Sequence, residues 1–475
     1  MTQNKNLNQN TLNVENYLDK IKNYLETKKL NYYDIRLQKI NNLSINIDKT
    51  QTKDINQNIL IGIGIRTIKN KKLGFCSTTN LENYKNIIDT CINNSQKLNK
   101  KTEYKNVAEN KDKIKFKHKK FETISIEEKT KELLEINKNA LIKKQNNNIV
   151  KILQLETRIQ ENYSENYFVN PYSFIYEEKP NYFFYSWITG KRNKNIESSY
   201  ERFGNVGGLE LIDYYKKKEI INNNKQKLEE LLFSKPCPAI NNACAILDPD
   251  TVGLLAHEAI GHACEADQFL NNSSVLKKGM VLTNNKHVTI IDNPSIKNFG
   301  HFIYDDEGIK GKKKYLIKQG IVNEFITNIE TATKLGETSN GGGRAESYAS
   351  RPIPRMSNTY FEKGKDNFDG MLKNYNGYML KGFAGGEVDP SIGTFMFGIR
   401  QVYKYQNGEI KEKYKQASIS GNILTYLKNI IEIENKTHES ACGFCGKDGQ
   451  SIHVGDGPNP HIKINNITIG GIKHE

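Results

Sequence analysis

Apolar positions change period along the chain, and each change marks an element. Val14, Tyr17, Leu18, Ile21 and Leu25 recur at helical spacing, so 13–30 reads as an amphipathic helix. From Tyr33 the period falls to two. Segments 34–38 and 43–47 alternate as half-buried strands, 59–68 continues the series, and 73–77 closes an antiparallel meander. Gly62 and Gly64 lie inside the third strand, where glycine marks close packing or a bulge. Helical spacing returns over 81–98 and 126–144, and aromatic and β-branched residues then concentrate over 149–159 and 173–188. A further helix is expected over 209–233. Pro236 and Pro238 stop both helix and central strand, which predicts two domains, 1–235 and 236–475.

The second half starts with a strand at 243–248 and a helix at 252–267, capped by Asp250 or Thr251. Short strands follow at 287–291, 302–304, 315–317, 325–326, 360–361, 377–381 and 394–402. The expected fold class is α+β. An N-terminal mixed antiparallel sheet with helices precedes a largely antiparallel, β-rich C-terminal domain that carries the helix at 252–267.

Composition narrows the function classes. The chain has 475 residues and a net charge of +15, with 25 Tyr and 19 Phe, a balance that would suit phosphate contacts and base stacking. The lysines are scattered, however, and runs such as Lys216-Lys217-Lys218 are short, so solvated faces explain them better than a nucleic-acid footprint. No apolar run reaches the ~18–20 residues of a membrane span, and the N-terminus lacks the apolar core of a secretory signal. Seven irregularly spaced cysteines argue against a disulfide framework and for a reducing, cytoplasmic location.

Candidate chemistry centres on His257-Glu258-Ala259-Ile260-Gly261-His262. Two neutral imidazoles can bind a metal without cancelling its charge, and the adjacent carboxylate can take a proton from metal-bound water. The zincin spacing His-Glu-x-x-His puts both imidazoles on one helical face. Here one residue more intervenes. Four α-helical steps rotate ~400° and leave such a pair ~40° apart, whereas five rotate ~500° and leave it ~140° apart. The helix must therefore be widened by a π-bulge or broken near His262, and Gly261 tolerates such a distortion. A third ligand is available at Cys442-Gly443-Phe444-Cys445, but spacing alone does not choose between Cys442 and Cys445, or exclude Cys264.

Several further blocks stand in order along the chain: Tyr33-Asp34-Ile35-Arg36-Leu37, Gly62-Ile63-Gly64-Ile65-Arg66, the stretch 257–267, Asp305-Asp306-Glu307-Gly308 and Gly343-Arg344-Ala345-Glu346-Ser347. Pro354-Arg355-Met356-Ser357-Asn358-Thr359, Gly385-Gly386-Glu387-Val388-Asp389 and Cys445-Gly446-Lys447-Asp448-Gly449-Gln450 complete the set. Together they resemble the TldD/PmbA family of metallopeptidases, in its TldD-like, zinc-bearing branch. The resemblance implies one zinc per chain, held by His257, His262 and Cys445, with Glu258 as general base toward the zinc-bound water. It also implies a homodimer, or a heterodimer with a PmbA-like homologue. The β-rich second half offers strand edges to which an extended peptide can add through main-chain hydrogen bonds, so short or unfolded peptides are the expected substrates. Two other classes stand beside this one: a non-catalytic, zinc-stabilised subunit closed by a fourth ligand such as Cys442, and a basic nucleic-acid-binding protein. Among the softer candidates, Glu265 is placed to orient an imidazole from one turn beyond His262. Arg344 and Arg355 suit a peptide carboxylate or a structural ion pair, Asp305 and Asp306 a turn, and His453 and His461 a surface or hydrogen-bonded role.

Overall fold

The alternating residues of the first half build one sheet. In the computed structural model, which describes residues 14–99, 101–142, 150–439 and 442–471, the sheet comprises β1 (Tyr32–Asp48), β2 (Gln51–Lys69), β3 (Lys72–Thr78), β4 (Lys111–Lys115), β5 (Lys151–Val169), β6 (Phe174–Arg192) and β7 (Asn195–Val206). Positions 13, 143–144 and 149 of the expected elements lie outside the described residues. The strand order is β3-β2-β1-β5-β6, with β4 and β7 both on the far side of β6, and every pairing but β4–β6 is antiparallel. The two short strands expected at 34–38 and 43–47 are one continuous strand, β1.

Ile35, Leu37, Ile45 and Ile47 are spaced in twos and so share one face of β1. Helices cover that face in two pairs. α1 (Val14–Glu26) and α2 (Tyr84–Gln96) bury Leu18, Ile21, Leu25, Ile88 and Ile92 against Ile35 and Leu37. α3 (Ile126–Ile142) and α4 (Tyr214–Phe233) bury Leu133, Ile136, Ile221 and Leu228 against Ile45 and Ile47. At about 1.5–3 kcal/mol for each fully buried aliphatic side chain, these contacts are what hold the helices on the sheet.

The second half is organised by a small closed barrel. Its strands are drawn from β8 (Ile240–Leu247), β9 (Gly377–Asp389), β10 (Thr394–Gln406) and β11 (Glu409–Asn422), then, past the hairpin of β12 (Cys442–Lys447) and β13 (Gln450–Gly455), β14 (Ile462–Gly470). Around the ring β8 pairs with β9, β9 with β10, β10 with β11, β11 with β14, and β14 with β8. Closure removes the open edges that a sheet would otherwise present. The β8–β9 pair is parallel, so the domain is largely, not wholly, antiparallel. Leu247, Leu380, Phe397, Ile399, Ile419 and Ile464 fill one core together with Val252, Leu255, Ala259 and Ile260 from the segment after β8. The motif is thereby seated on the barrel. The architecture is α+β, with a mixed sheet and helices followed by a β-rich, barrel-containing half.

Two local expectations differ. The strands expected at 302–304 and 325–326 amount to isolated bridges at Tyr304 and Ile326. The cap of the motif helix is Asp248, whose carboxylate accepts from the Thr251 N–H at 2.9 Å, not Asp250 or Thr251. Pro249 occupies the first helical position, where its missing N–H costs nothing, and that moves the cap one residue ahead of it. Among the described residues no helix is long and apolar enough to cross a membrane.

Candidate metal centre

The helix that begins at Pro249 does not continue as a regular α-helix. Pro249–Leu254 is α-helical, Leu255–Gly261 is π-helical, and His262–Cys264 is a 3₁₀ turn. The His262 N–H donates to the His257 carbonyl, an i→i+5 bond that puts the two residues one wide turn apart. Gly261 makes room for this. A Cβ there would overlap the sulfur of buried Met356.

The widened turn brings the two imidazoles together. Their ring centroids are 5.3 Å apart and the rings are nearly perpendicular, at 88°. Cys445, on β12, reaches the same point from the other side, with its Sγ 3.4 Å from His262 Nε2. One ligand atom from each of the three residues lies within 4.8 Å of the other two, and among the described residues no fourth His, Cys, Asp or Glu joins them. Tetrahedral zinc ligands at about 2.0–2.3 Å from the ion stand about 3.3–3.8 Å from one another, so small side-chain adjustments suffice. His257 Nδ1 is buried without a hydrogen-bond partner, a polar atom that the protein leaves unsatisfied. Two nitrogens and one sulfur form a borderline-soft donor set that suits zinc.

Charge around the three groups pairs a thiolate with protonated imidazoles, whose protons a metal ion would displace on binding. Burial raises the Cys445 pKa, but the His257 and His262 imidazoliums outweigh it and pull the thiol down to about 5. The sulfur is therefore a thiolate at neutral pH. Burial lowers the His257 pKa, and the Cys445 thiolate and Glu258 more than reverse this, to about 9. Glu265, fully buried, sits 2.9 Å from His262 Nδ1 and so fixes which ring nitrogen faces Cys445. Desolvation disfavours its charged form, but Lys447 at 3.0 Å, with His262 and Arg355, holds its pKa at about 2. Glu258 stands beside the imidazoles, with Oε2 3.7 Å from His262 Nε2. It is partly exposed, where both histidines are more deeply buried.

The two cysteines of β12 point opposite ways because they are three residues apart on a strand. Cys445 faces the histidines, and Cys442 packs among Phe183 and Phe299 of an aromatic cluster. Burial pushes the Cys442 thiol up to about 12. Cys264 is fully buried in the core, and burial raises its thiol as well. Neither belongs to the cluster.

Other singled-out residues have structural partners. Arg355 donates to the carbonyls of Cys445 and Gln450, clamping the hairpin that carries the thiolate. Arg344 donates to the carbonyls of Met356 and His453. Asp305 accepts the N–H groups of Glu307, Ile309 and Gly343, which is a turn. Arg66 joins Asp34 of β1 to Glu307, a buried triad linking the first sheet to that turn. Sequence reasoning missed Lys447, which neutralises Glu265 and also Asp267, the latter 180 residues away along the chain. Its only sequence signal is its place in the Cys-Gly-Lys block.

A cavity of about 830 Å³ opens onto the centre. His257 and Glu258 line it together with residues 199–205 of β7 and with Asp250, Lys381, Arg400 and Asp456.

Comparison with known proteins gives consistent matches. The family model for the PmbA/TldA metallopeptidase C-terminal domain matches residues 241–471, and that for PmbA/TldA metallopeptidase domain 1 matches residues 33–95. A metalloprotease of Methanothermobacter thermautotrophicus is 38% identical over 279 residues, 58% of this chain and 60% of its own. A zinc metalloprotease TldD homolog of Saccharolobus solfataricus is 36% identical over 255 residues, 53% of this chain and 56% of its own. The matched stretch thus spans less than two thirds of either relative's length. Among solved structures, TldE from Thermococcus kodakarensis shares the fold, with a TM-score of 0.74 over 96% of this chain and 100% of its own, at 17% identity.

Proposed function

Because the chain belongs to the PmbA/TldA metallopeptidase family, two of whose domain models together match more than half of it, we propose that it is a zinc-dependent peptidase of the TldD-like branch. His257, His262 and Cys445 hold one zinc ion, and short or unfolded peptides are the substrates. The observation that carries this reading is the approach of Cys445 Sγ to His262 Nε2 at 3.4 Å, across 183 residues of sequence. The name of the Saccharolobus relative supports zinc as the ion.

When bound, zinc supplies Lewis-acid polarisation of the scissile carbonyl and a lowered pKa for water. The chain's own residues do the rest. Glu258, at the cavity wall, accepts a proton from the attacking water as the C–O bond forms and then returns it to the amine nitrogen, which leaves as the C–N bond breaks. Glu265 keeps the His262 Nδ1 proton in place and leaves Nε2 for the ion. Lys447 and Arg355 hold Glu265 ionised.

Substrate enters along β7. Among the described residues this strand pairs with β6 alone, and its 199–205 stretch lines the cavity. An extended peptide can add to such an edge through main-chain hydrogen bonds, a mode that reads backbone more than side chains. Domains divided at 235/236 then share the work, the first offering the strand and the second the metal. The chain acts in the cytoplasm as a dimer, with itself or with a PmbA-like homologue. The position of Cys442 away from the histidines favours this open centre over a closed structural one, and the carboxylates that line the cavity, Glu201, Glu230, Asp248, Asp250 and Asp456 among them, offset its cations and disfavour a nucleic-acid phosphate backbone.

Cleavage of one small protein in its native and destabilised forms, under identical conditions, tests the substrate class. The unfolded form is expected to be cut and the native form spared. Equal rates on both would refute strand capture in a recessed site.

A further inference from the structure

A second group of side chains meets the requirements of a metal site, far along the chain from the first. Glu434 follows the strand Ile430–Ile433, His438 lies on the two-residue strand His438–Glu439, and His461 directly precedes β14. One ligand atom from each lies within 4.8 Å of the other two. Both imidazoles aim at the same carboxylate oxygen. His438 Nε2 is 2.9 Å, and His461 Nδ1 2.7 Å, from Glu434 Oε2. The two rings meet edge-on with centroids 5.0 Å apart, and Phe368 stacks on His461 at 4.0 Å, which fixes the plane of that ring. The Glu434 side chain is 3% exposed and that of His438 43%. The group is thus anchored on a buried charge and open to solvent on one side.

A buried carboxylate must be paired, and two hydrogen-bonding imidazoles would be enough for that alone. The arrangement does more than pair it. Two imidazole nitrogens and one carboxylate oxygen converge with the ligand set of a three-coordinate protein site for a borderline divalent ion, with the remaining positions on the solvent side. A neutral imidazole can present its lone pair by carrying its proton on the other ring nitrogen, so metal entry replaces two hydrogen bonds and breaks no fold contact.

We propose that Glu434, His438 and His461 form a second divalent-metal site, for Zn²⁺ or a similar transition ion. It shares no residue with the centre of His257, His262 and Cys445 and does not depend on that centre's assignment. An ion there ties the segment bearing His438, which precedes the hairpin that carries Cys445, to the start of β14, which follows that hairpin.

The test is a titration of the metal-stripped full chain with Zn²⁺ against a chromophoric chelator, repeated with Co²⁺. The wild type is expected to bind two equivalents. His438→Ala and His461→Asn are each expected to weaken one equivalent by more than about 100-fold, beyond what loss of an orienting partner does. Cobalt separates the two sites, because only a thiolate ligand gives a sulfur-to-metal charge-transfer band. His438→Ala should keep that band, and Cys445→Ala should lose it while keeping one equivalent. His438 is exposed, so its replacement leaves the packing intact, and the thermal midpoint in chelator checks this. The proposal is overturned if the wild type binds one equivalent that His438→Ala leaves untouched, or if both equivalents survive His438→Ala and His461→Asn. If Cys445→Ala kept all metal while His438→Ala lost one equivalent, the first centre would be wrong and this one right.

Discussion

The His262 N–H donates to the carbonyl of His257, five residues back, where a regular helix would bond four back. That one extra residue in the turn converts a pair that would point ~140° apart into a pair that shares a point with Cys445. The π-helical segment is therefore the device that makes the six-residue motif usable.

Gly261 gives that device its room, with backbone angles that stay right-handed helical. Gly261→Ala puts a methyl group into buried Met356, and overpacking of this kind costs about 1–3 kcal/mol. Denaturant unfolding should show the loss, and Met356→Ala in the same chain should recover part of it. Strictly additive losses in the double variant would mean that Gly261 serves some other need.

The two cysteines of β12 should behave oppositely. Cys445→Ala removes one of the three proposed ligands and should abolish tight zinc binding at this centre, leaving only the equivalent proposed for Glu434, His438 and His461, whereas Cys442→Ala should leave zinc content unchanged. Metal analysis of the two purified variants decides this. A Cys442 variant that lost its zinc would reverse the assignment.

Much of this was legible in the sequence, and the limits have physical causes. The motif's spacing demanded a distorted helix because helical rotation is fixed, and the block beginning at Cys445 resembled one family's pattern. The lengths of the strands were not legible. Residues 51–60 of β2 are exposed on both faces, so polar residues such as Gln51, Lys53 and Asn58 carry no alternation to read. β11 begins with Glu409-Ile410-Lys411-Glu412-Lys413 for the same reason, and β7 was missed with it. The buried group of Glu265, Lys447 and Arg355 joins residues that are neighbours only after the barrel closes, and no local pattern announces them. Gly64, in contrast, was read as a point of close approach, and the Tyr348 carbonyl lies where its Cβ would be.

His453, paired with Phe444 across the β12–β13 hairpin, gives the fold an acid-sensitive element. Its ring stacks on Phe299 at 4.2 Å, and burial, with Lys179 and Arg344 nearby, depresses its pKa to about 3. The unfolded chain binds this proton near the ordinary value of about 6.5. Between those values the unfolded state holds more protons, so stability falls as pH drops from about 6.5 toward about 3. His453→Phe should flatten that part of the stability–pH curve. An unchanged slope would remove His453 as its source.

The most direct test of the central claim is zinc content and peptide turnover measured together on Glu258→Gln. The account predicts full zinc, because Glu258 lies outside the three-residue cluster, and a rate lower by about 10²–10⁴-fold, because the base is gone. A variant that kept its zinc and hydrolysed peptides at the wild-type rate would contradict the account.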